Sequence, residues 1–186
     1  NPETREVGCM HYTSVENIHR VIDPLFLNDL KDELGLILKE KIDKKRKQKL
    51  NDFQVKLASL TFLDPACGSG NFLTETYLSL RRLENEAIEL LAEPGSRYLS
   101  TELSPIKVSI ENFYGIEIND FAVTVAKTAL WIAEAQMMYE TEHIVMRDLE
   151  FLPLKSYSHV EGGNALTKDW NEVIAKDKLS YIIGNP

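Results

Sequence analysis

The stretch Asp64-Pro65-Ala66-Cys67-Gly68-Ser69-Gly70-Asn71-Phe72-Leu73 constrains the fold of this chain more than any other. Leu60-Thr61-Phe62-Leu63 before it is a short apolar run with β-branched and aromatic members, the pattern of a buried strand. Asn71 to Leu91 after it carries apolar side chains at helical spacing. The chain between them must turn sharply, and the glycines at 68 and 70 allow positive φ and close approach of a ligand to the main chain. Pro65 biases Asp64 toward an extended conformation, which puts a carboxylate at the end of the strand. Junctions of this kind are where α/β sheets bind nucleotides. No Gly-Lys-Ser/Thr follows, and Asp64 would repel a pyrophosphate, so a cationic ligand fits better. S-adenosylmethionine, with a sulfonium and an ammonium against one carboxylate, has the required charge. The structural alternative is a strand-to-helix turn that merely needed glycines.

With 186 residues the chain is long enough for one domain with a sizeable core. Its net charge of −8 argues against this piece gripping a nucleic-acid backbone by itself, since phosphate neutralisation needs Lys and Arg. The basic run from Lys39 to Lys49 reads as a solvated helix face. No apolar run approaches a membrane span and no signal-peptide pattern opens the chain, so a cytoplasmic protein is expected. Cys9 and Cys67 lack metal-ligand spacing and read as reduced thiols, with no metal site.

Taken in order, Thr13 and Glu16 have capping-box spacing, and Ile18, Val21, Ile22 and Leu25 supply a helical stripe. An exposed helix start of this kind is also a good seat for a ligand carboxylate. Asp23-Pro24 should end or kink that helix; a second carries Leu27, Leu30, Leu34 and Leu38 on one face, and a third runs through Phe53, Val55 and Leu57. Residues 1–58 thus read as a helical segment ahead of a sheet occupying 59–186. Glu93-Pro94-Gly95-Ser96 is a turn signal that opens an inserted loop. Phe113 to Ile116 reads as the next strand with Glu117 at its end, followed by a helix with an apolar face from Ala122 to Ala133. An acidic residue there can accept both hydroxyl protons of a ribose. Glu117 lies about forty-five residues beyond Gly70, against roughly 20 in the dinucleotide fingerprint, so an insertion is assumed. Gly162-Gly163-Asn164 brings an amide to a point of close backbone approach, a short helix near Trp170 follows, and Leu179 to Ile183 reads as a buried strand.

These parts resemble, in order, the amino-terminal half of the catalytic domain of S-adenosylmethionine-dependent adenine-N6 DNA methyltransferases of the type fused in bacterial restriction–modification enzymes. The segments that carry the resemblance are His11-Tyr12-Thr13-Ser14, Asp64 to Leu73, Gly115-Ile116-Glu117-Ile118, Gly163-Asn164 and Ile183-Gly184-Asn185-Pro186. The resemblance implies a class I, Rossmann-like doubly wound α/β sheet, truncated to its first half, with strands in the order 3-2-1-4. It implies that Tyr12 and Thr13 hold the methionine part of the cofactor, with Asp64, Ala66 and Gly68 around its amino and carboxylate groups. Glu117 would take the ribose hydroxyls and Asn164, where the family more often has Asp, the adenine. Asn185 and Pro186 match the first half of the Asn-Pro-Pro-aromatic motif that accepts hydrogen bonds from the amine of a flipped-out adenine. Double-stranded DNA would be held by regions beyond this chain, and the isolated piece is expected to lack turnover. The last strand would be an open edge, with dimerisation as the expected consequence.

Other readings stay open at this stage. An RNA-adenine or protein-glutamine methyltransferase shares an Asn-Pro-Pro ending, and a non-catalytic cofactor-binding module needs no chemistry at all. A nicotinamide oxidoreductase fits less well, because Leu73 stands where the fingerprint has its third glycine.

Overall fold

The computed structural model describes residues 13–92, 105–146, 148–149 and 159–185. Cys9, Tyr12, Pro186 and the turn expected at Glu93 to Ser96 lie outside these residues. Three helices come first: α1 (Val15–Ile22), α2 (Asn28–Leu38) and α3 (Asp43–Ser59). The cap of α1 is Ser14 and not Thr13. Ser14 has the extended φ of −64° and ψ of 151° that a cap requires, and its Oγ accepts from the Asn17 N–H at 3.4 Å. Glu16 pairs with Arg20 at 2.6 Å, one turn on along the helix.

Asp23-Pro24 does not break the helical run. The chain passes through a π-helical turn, Asp23–Leu27, directly into α2. Proline lacks the N–H that the ordinary ladder needs, and a widened turn relieves the clash of its ring with the preceding carbonyl. On α2 the inward face is Leu30, Leu34 and Ile37; Leu38, expected inside, is exposed. On α3, Leu50, Phe53 and Leu57 are buried while Val55 faces solvent. Its basic run is a solvated face, with Arg46 and Lys47 both paired to Asp43 and Lys49 paired to Glu40.

The sheet is parallel and holds four strands in the order β3-β2-β1-β4. These are β1 (Phe62–Asp64), β2 (Phe113–Glu117), β3 (Val160–Gly162) and β4 (Tyr181–Ile182). It is the α/β, Rossmann-like arrangement expected, in the expected order. Two long helices, α4 (Asn71–Leu91) and α5 (Asp120–Val145), cross over between strands and share one core with α1 to α3.

Register on that face is set by an aromatic ladder. Phe62 of β1 pairs with Phe113 of β2 and Tyr181 of β4, and its ring stacks on both at 5.2 and 5.5 Å. Burying each Phe contributes about 1.5–3 kcal/mol, and a one-residue slip would turn both to the opposite face. Behind the ladder, α4 and α5 are joined by a buried polar cluster. Arg81 pairs with Glu84 and donates to Thr141 Oγ1 at 2.6 Å, while Glu84 Oε1 accepts from the Lys107 and Val108 N–H groups at 2.6 and 3.1 Å. This cluster ties the chain entering β2 to α4, so the sheet returns to the same place after the insertion.

The opposite face is thinner. Leu63 and Ile116 are covered there by the short helix α6 (Trp170–Val173) and its flanks, with Trp170 Nε1 donating to Ala165 O at 2.8 Å. Ile182, which pairs with Leu63, is 54% exposed on this face, so the last strand is only half buried, contrary to expectation.

Candidate cofactor site

Asp64 closes β1 and is 2% exposed. Burial pushes its carboxyl up to about 7; the Ala66 N–H, donating to Oδ1 at 3.1 Å, acts against that shift and the charge of Glu117 adds to it. The loop that follows is drawn onto β2, with the Cys67 N–H donating to Ile116 O at 3.0 Å. It then folds back, the Gly70 N–H donating to Cys67 O at 2.7 Å. Gly70 starts α4 with a left-handed φ of +81°, and a Cβ there would lie 2.9 Å from the Cβ of Ala126 on α5. No other residue satisfies both demands. The Cys67 thiol is pushed up to about 12 by burial and by the charges of Asp64 and Glu117, which makes it inert.

Glu117, at the end of β2, is the hinge of the arrangement. Its Oε2 accepts from the Gly68 N–H at 2.8 Å and its Oε1 from the Asn119 N–H at 2.9 Å. Asn119 in turn caps α5 through the N–H groups of Phe121 and Ala122. One carboxylate therefore spans the glycine loop and the start of the next helix, and each of its oxygens keeps a second acceptor site. The insertion between Gly70 and Glu117 does not disturb this meeting.

The loop after β3 lies alongside, since Glu117 is in register with Gly162 and the Gly163 N–H donates to Glu117 O at 2.9 Å. Asn164 follows, exposed, with Oδ1 accepting from the Leu166 N–H at 2.9 Å and its main-chain oxygen from Thr167 and Lys168. That Asx-type turn displays Leu166, which is 93% exposed. Ile118 and Phe121, at the end of β2 and the start of α5, are 72% and 68% exposed. The three apolar side chains were missed from the sequence. Their signal was position: each stands one or two residues after a polar strand-end, cap or turn residue, Glu117, Asn119 and Asn164 respectively, where an outward apolar group has no packing purpose.

On the other side, Gly184 follows β4 with φ of +149°, and a Cβ on it would stand 2.6 Å from Asp64 Oδ1. The main chain carrying Asn185 is thus pressed against the buried carboxyl group, and Asn185 itself is exposed. Asp64, Ala66, Gly68, Glu117, Asn164 and Asn185 all gather at the carboxyl edge of the sheet. Thr13 directly precedes the Ser14 cap of α1, a helix that meets α4 through His19 and Glu75. Among the described residues no cluster of His, Cys, Asp and Glu could hold a metal ion, and no helix is long and apolar enough to cross a membrane.

Comparison with known proteins bears on this arrangement. Residues 38–186 match the family described as MmeI, DNA-methyltransferase domain. DNA methyltransferase A of Bacillus subtilis (strain 168) is 41% identical over 99% of the chain, which spans 20% of that protein. A putative type II restriction enzyme and methyltransferase of Methanocaldococcus jannaschii is 30% identical over 92% of the chain, which spans 14% of it. The solved structure of the type IIL restriction-modification enzyme MmeI in complex with DNA superposes with a TM-score of 0.85 at 41% identity, covering 95% of this chain and 23% of that one. With its loop, acidic strand end and strand order in place, the chain belongs to the MmeI DNA-methyltransferase domain family.

Proposed function

We propose that this chain supplies the S-adenosylmethionine site and the first catalytic residues of an adenine-N6 DNA methyltransferase within a restriction–modification enzyme of cytoplasmic location. The observation that carries the reading is the closure of the glycine loop on Glu117, with Gly68 N–H to Oε2 at 2.8 Å, directly beside the buried Asp64. Two neighbouring carboxylates, Asp64 and Glu117, at the strand edge suit a positively charged nucleoside, and they oppose a pyrophosphate.

Glu117 has the two free acceptor sites that a ribose diol requires. Ile118, Phe121 and Leu166 offer apolar surface for a purine ring, and the Asn164 amide is placed to bond the ring edge. Asp64, Ala66 and Gly68 surround the amino-acid end, with Tyr12 and Thr13 completing it. When bound, the cofactor supplies an electrophilic methyl group. Asn185 through its side-chain oxygen and Pro186 through its carbonyl would accept hydrogen bonds from the exocyclic amine of a flipped adenine, localising its lone pair toward that methyl group. DNA is the favoured substrate because the structural relative is a complex with DNA.

Titration calorimetry of the chain with S-adenosylmethionine, and with NADH as the control, tests the cofactor. Binding of the methyl donor alone is expected, weakened roughly tenfold or more in Glu117→Ala through loss of hydrogen bonds to a charged group. Binding of NADH alone would sink the reading. For the substrate, nucleoside analysis of DNA treated with the full-length enzyme should show N6-methyladenine; a methylated cytosine would replace that part of the proposal.

The β4 edge and the half-bare face at Ile182 also predict self-association. Sedimentation should show a dimer that grows with concentration and recedes in Ile182→Lys. A strictly monomeric chain at high concentration would count against it.

A further inference from the structure

We propose that His19 is a positioning residue, a protonated bridge that fixes α1 against α4 and so sets the start of α1 relative to the glycine loop. The cofactor consequence rests on the function proposed above; the bridge itself does not.

The geometry carries the argument. His19 Nδ1 lies 2.7 Å from Asp23 Oδ1, one turn along the chain, and Nε2 lies 3.1 Å from Glu75 Oε1 on α4. Both partners are carboxylates, which only accept, whereas a neutral imidazole has one N–H and would turn a lone pair toward one of them. Only the imidazolium donates to both. Glu75 is further fixed by Arg82, whose guanidinium donates to the same Oε1 at 3.2 Å. Burial alone would lower the basicity of His19, but the hydrogen bonds to Asp23 and Glu75, with the attraction of both charges, outweigh it and leave the ring more basic than usual.

The charged groups facing the ring are Asp23 from the π-helical turn, Glu75 and Arg82 from α4, and Lys31 from α2 with Glu86 from α4 around a cleft of about 440 Å³ that His19 also lines. Glu16 and Arg20 on α1 pair with each other on the exposed side. The bridge lies five residues from the Ser14 cap and its anchor Glu75 five residues from Gly70, so each helix transmits it over fewer than two turns. When the proton is lost the ring keeps a single N–H and turns a lone pair toward one carboxylate, so the bridge opens at one end and the start of α1 is held less firmly against the loop.

The test uses the chain, His19→Gln and Glu75→Gln. Proton NMR should place the His19 titration above 6.5 in the native chain and lower it in Glu75→Gln. Amide exchange in α1, corrected for its intrinsic pH dependence, should quicken above that midpoint in the native chain but not in His19→Gln. S-adenosylmethionine affinity should fall roughly tenfold across the same midpoint, the effect of one charged hydrogen bond, and His19→Gln should lose that alkaline limb. A His19 that titrates at or below 6.5, or α1 exchange with the same pH dependence in both proteins, overturns the proposal. A chain that binds no methyl donor overturns the cofactor reading, while the titration and exchange still decide the bridge.

Discussion

Replacing Gly70 by valine is expected to destabilise the chain by about 2–5 kcal/mol. The left-handed conformation costs a side chain about 1–2 kcal/mol, and valine, branched at Cβ, is among the worst suited to it. Driving that Cβ into Ala126, 2.9 Å away on α5, adds about 1–3 kcal/mol of overpacking. Against a typical total of about 5–15 kcal/mol, this is a large share. Gly35 provides the control. It lies inside α2 with nothing within 4 Å of an added Cβ, so Gly35→Ala should stabilise by about 0.4–1 kcal/mol. Urea midpoints of the two variants should move in opposite directions, and methyl-donor binding should disappear only in Gly70→Val. A Gly70→Val protein as stable as the native one would falsify the packing argument.

Asp64→Asn should separate stability from binding, with the sign set by pH. A carboxyl group raised from 3.8 to about 7 on folding keeps its proton in the folded chain when the unfolded chain has lost it. Its contribution is therefore full below pH 3.8 and is lost as pH rises to about 7, the reverse of a salt-bridged aspartate. At ~1.4 kcal/mol per pH unit the loss amounts to about 4 kcal/mol. Asp64→Asn removes that loss, keeps an acceptor for the Ala66 N–H, and should be the more stable protein at pH 8 but not at pH 4. Its cost falls on the ligand. Native affinity for the cationic cofactor should climb through pH 7 as the carboxylate forms, while the variant should bind weakly and without that acid limb. Denaturation and calorimetry at both pH values measure the two effects, and identical pH dependence in the two proteins is the outcome that excludes the charge argument.

Gly184 shows why the two ends of the site are linked. A side chain there would meet the Asp64 carboxyl, so the segment bearing Asn185 can approach the end of β1 only over a bare backbone. The sheet therefore aligns a buried acid from β1 with the end of β4, two elements far apart in sequence, through a single contact of main chain on side chain.

Much of this arrangement is written in local pattern. The helix from Asn71 to Leu91 and the strand ending at Glu117 follow from periodicity and from residues that start or stop an element, which act over one turn or one strand. The gathering of Asp64, Gly68, Glu117 and Asn164 at one edge follows almost as directly, because parallel strands joined by helices present all their carboxyl ends together. Three features were out of reach. Strand β3, Val160–Gly162, is too short for any period to show, and exists because β2 offers it partners. The choice of Ser14 over Thr13 as the cap rests on one pair of dihedrals, which either residue's chemistry would allow. The exposure of Ile182 depends on what covers the second face, a matter of which elements are near and not of the residue's own hydrophobicity.

By itself, then, the sequence determined the elements other than β3 and which polar residues stand at their ends, since hydrophobic spacing, glycine and proline act on neighbours along the chain. Tertiary structure alone decided that Glu117 receives the Gly68 N–H, that Asp64 is sealed beneath Gly184, and that His19 lies between two carboxylates. Those facts depend on distances between residues tens of positions apart, and on the loss of water around them. Burial, which turns an ordinary aspartate into one that titrates near 7, is a property of the assembled fold and of no segment within it.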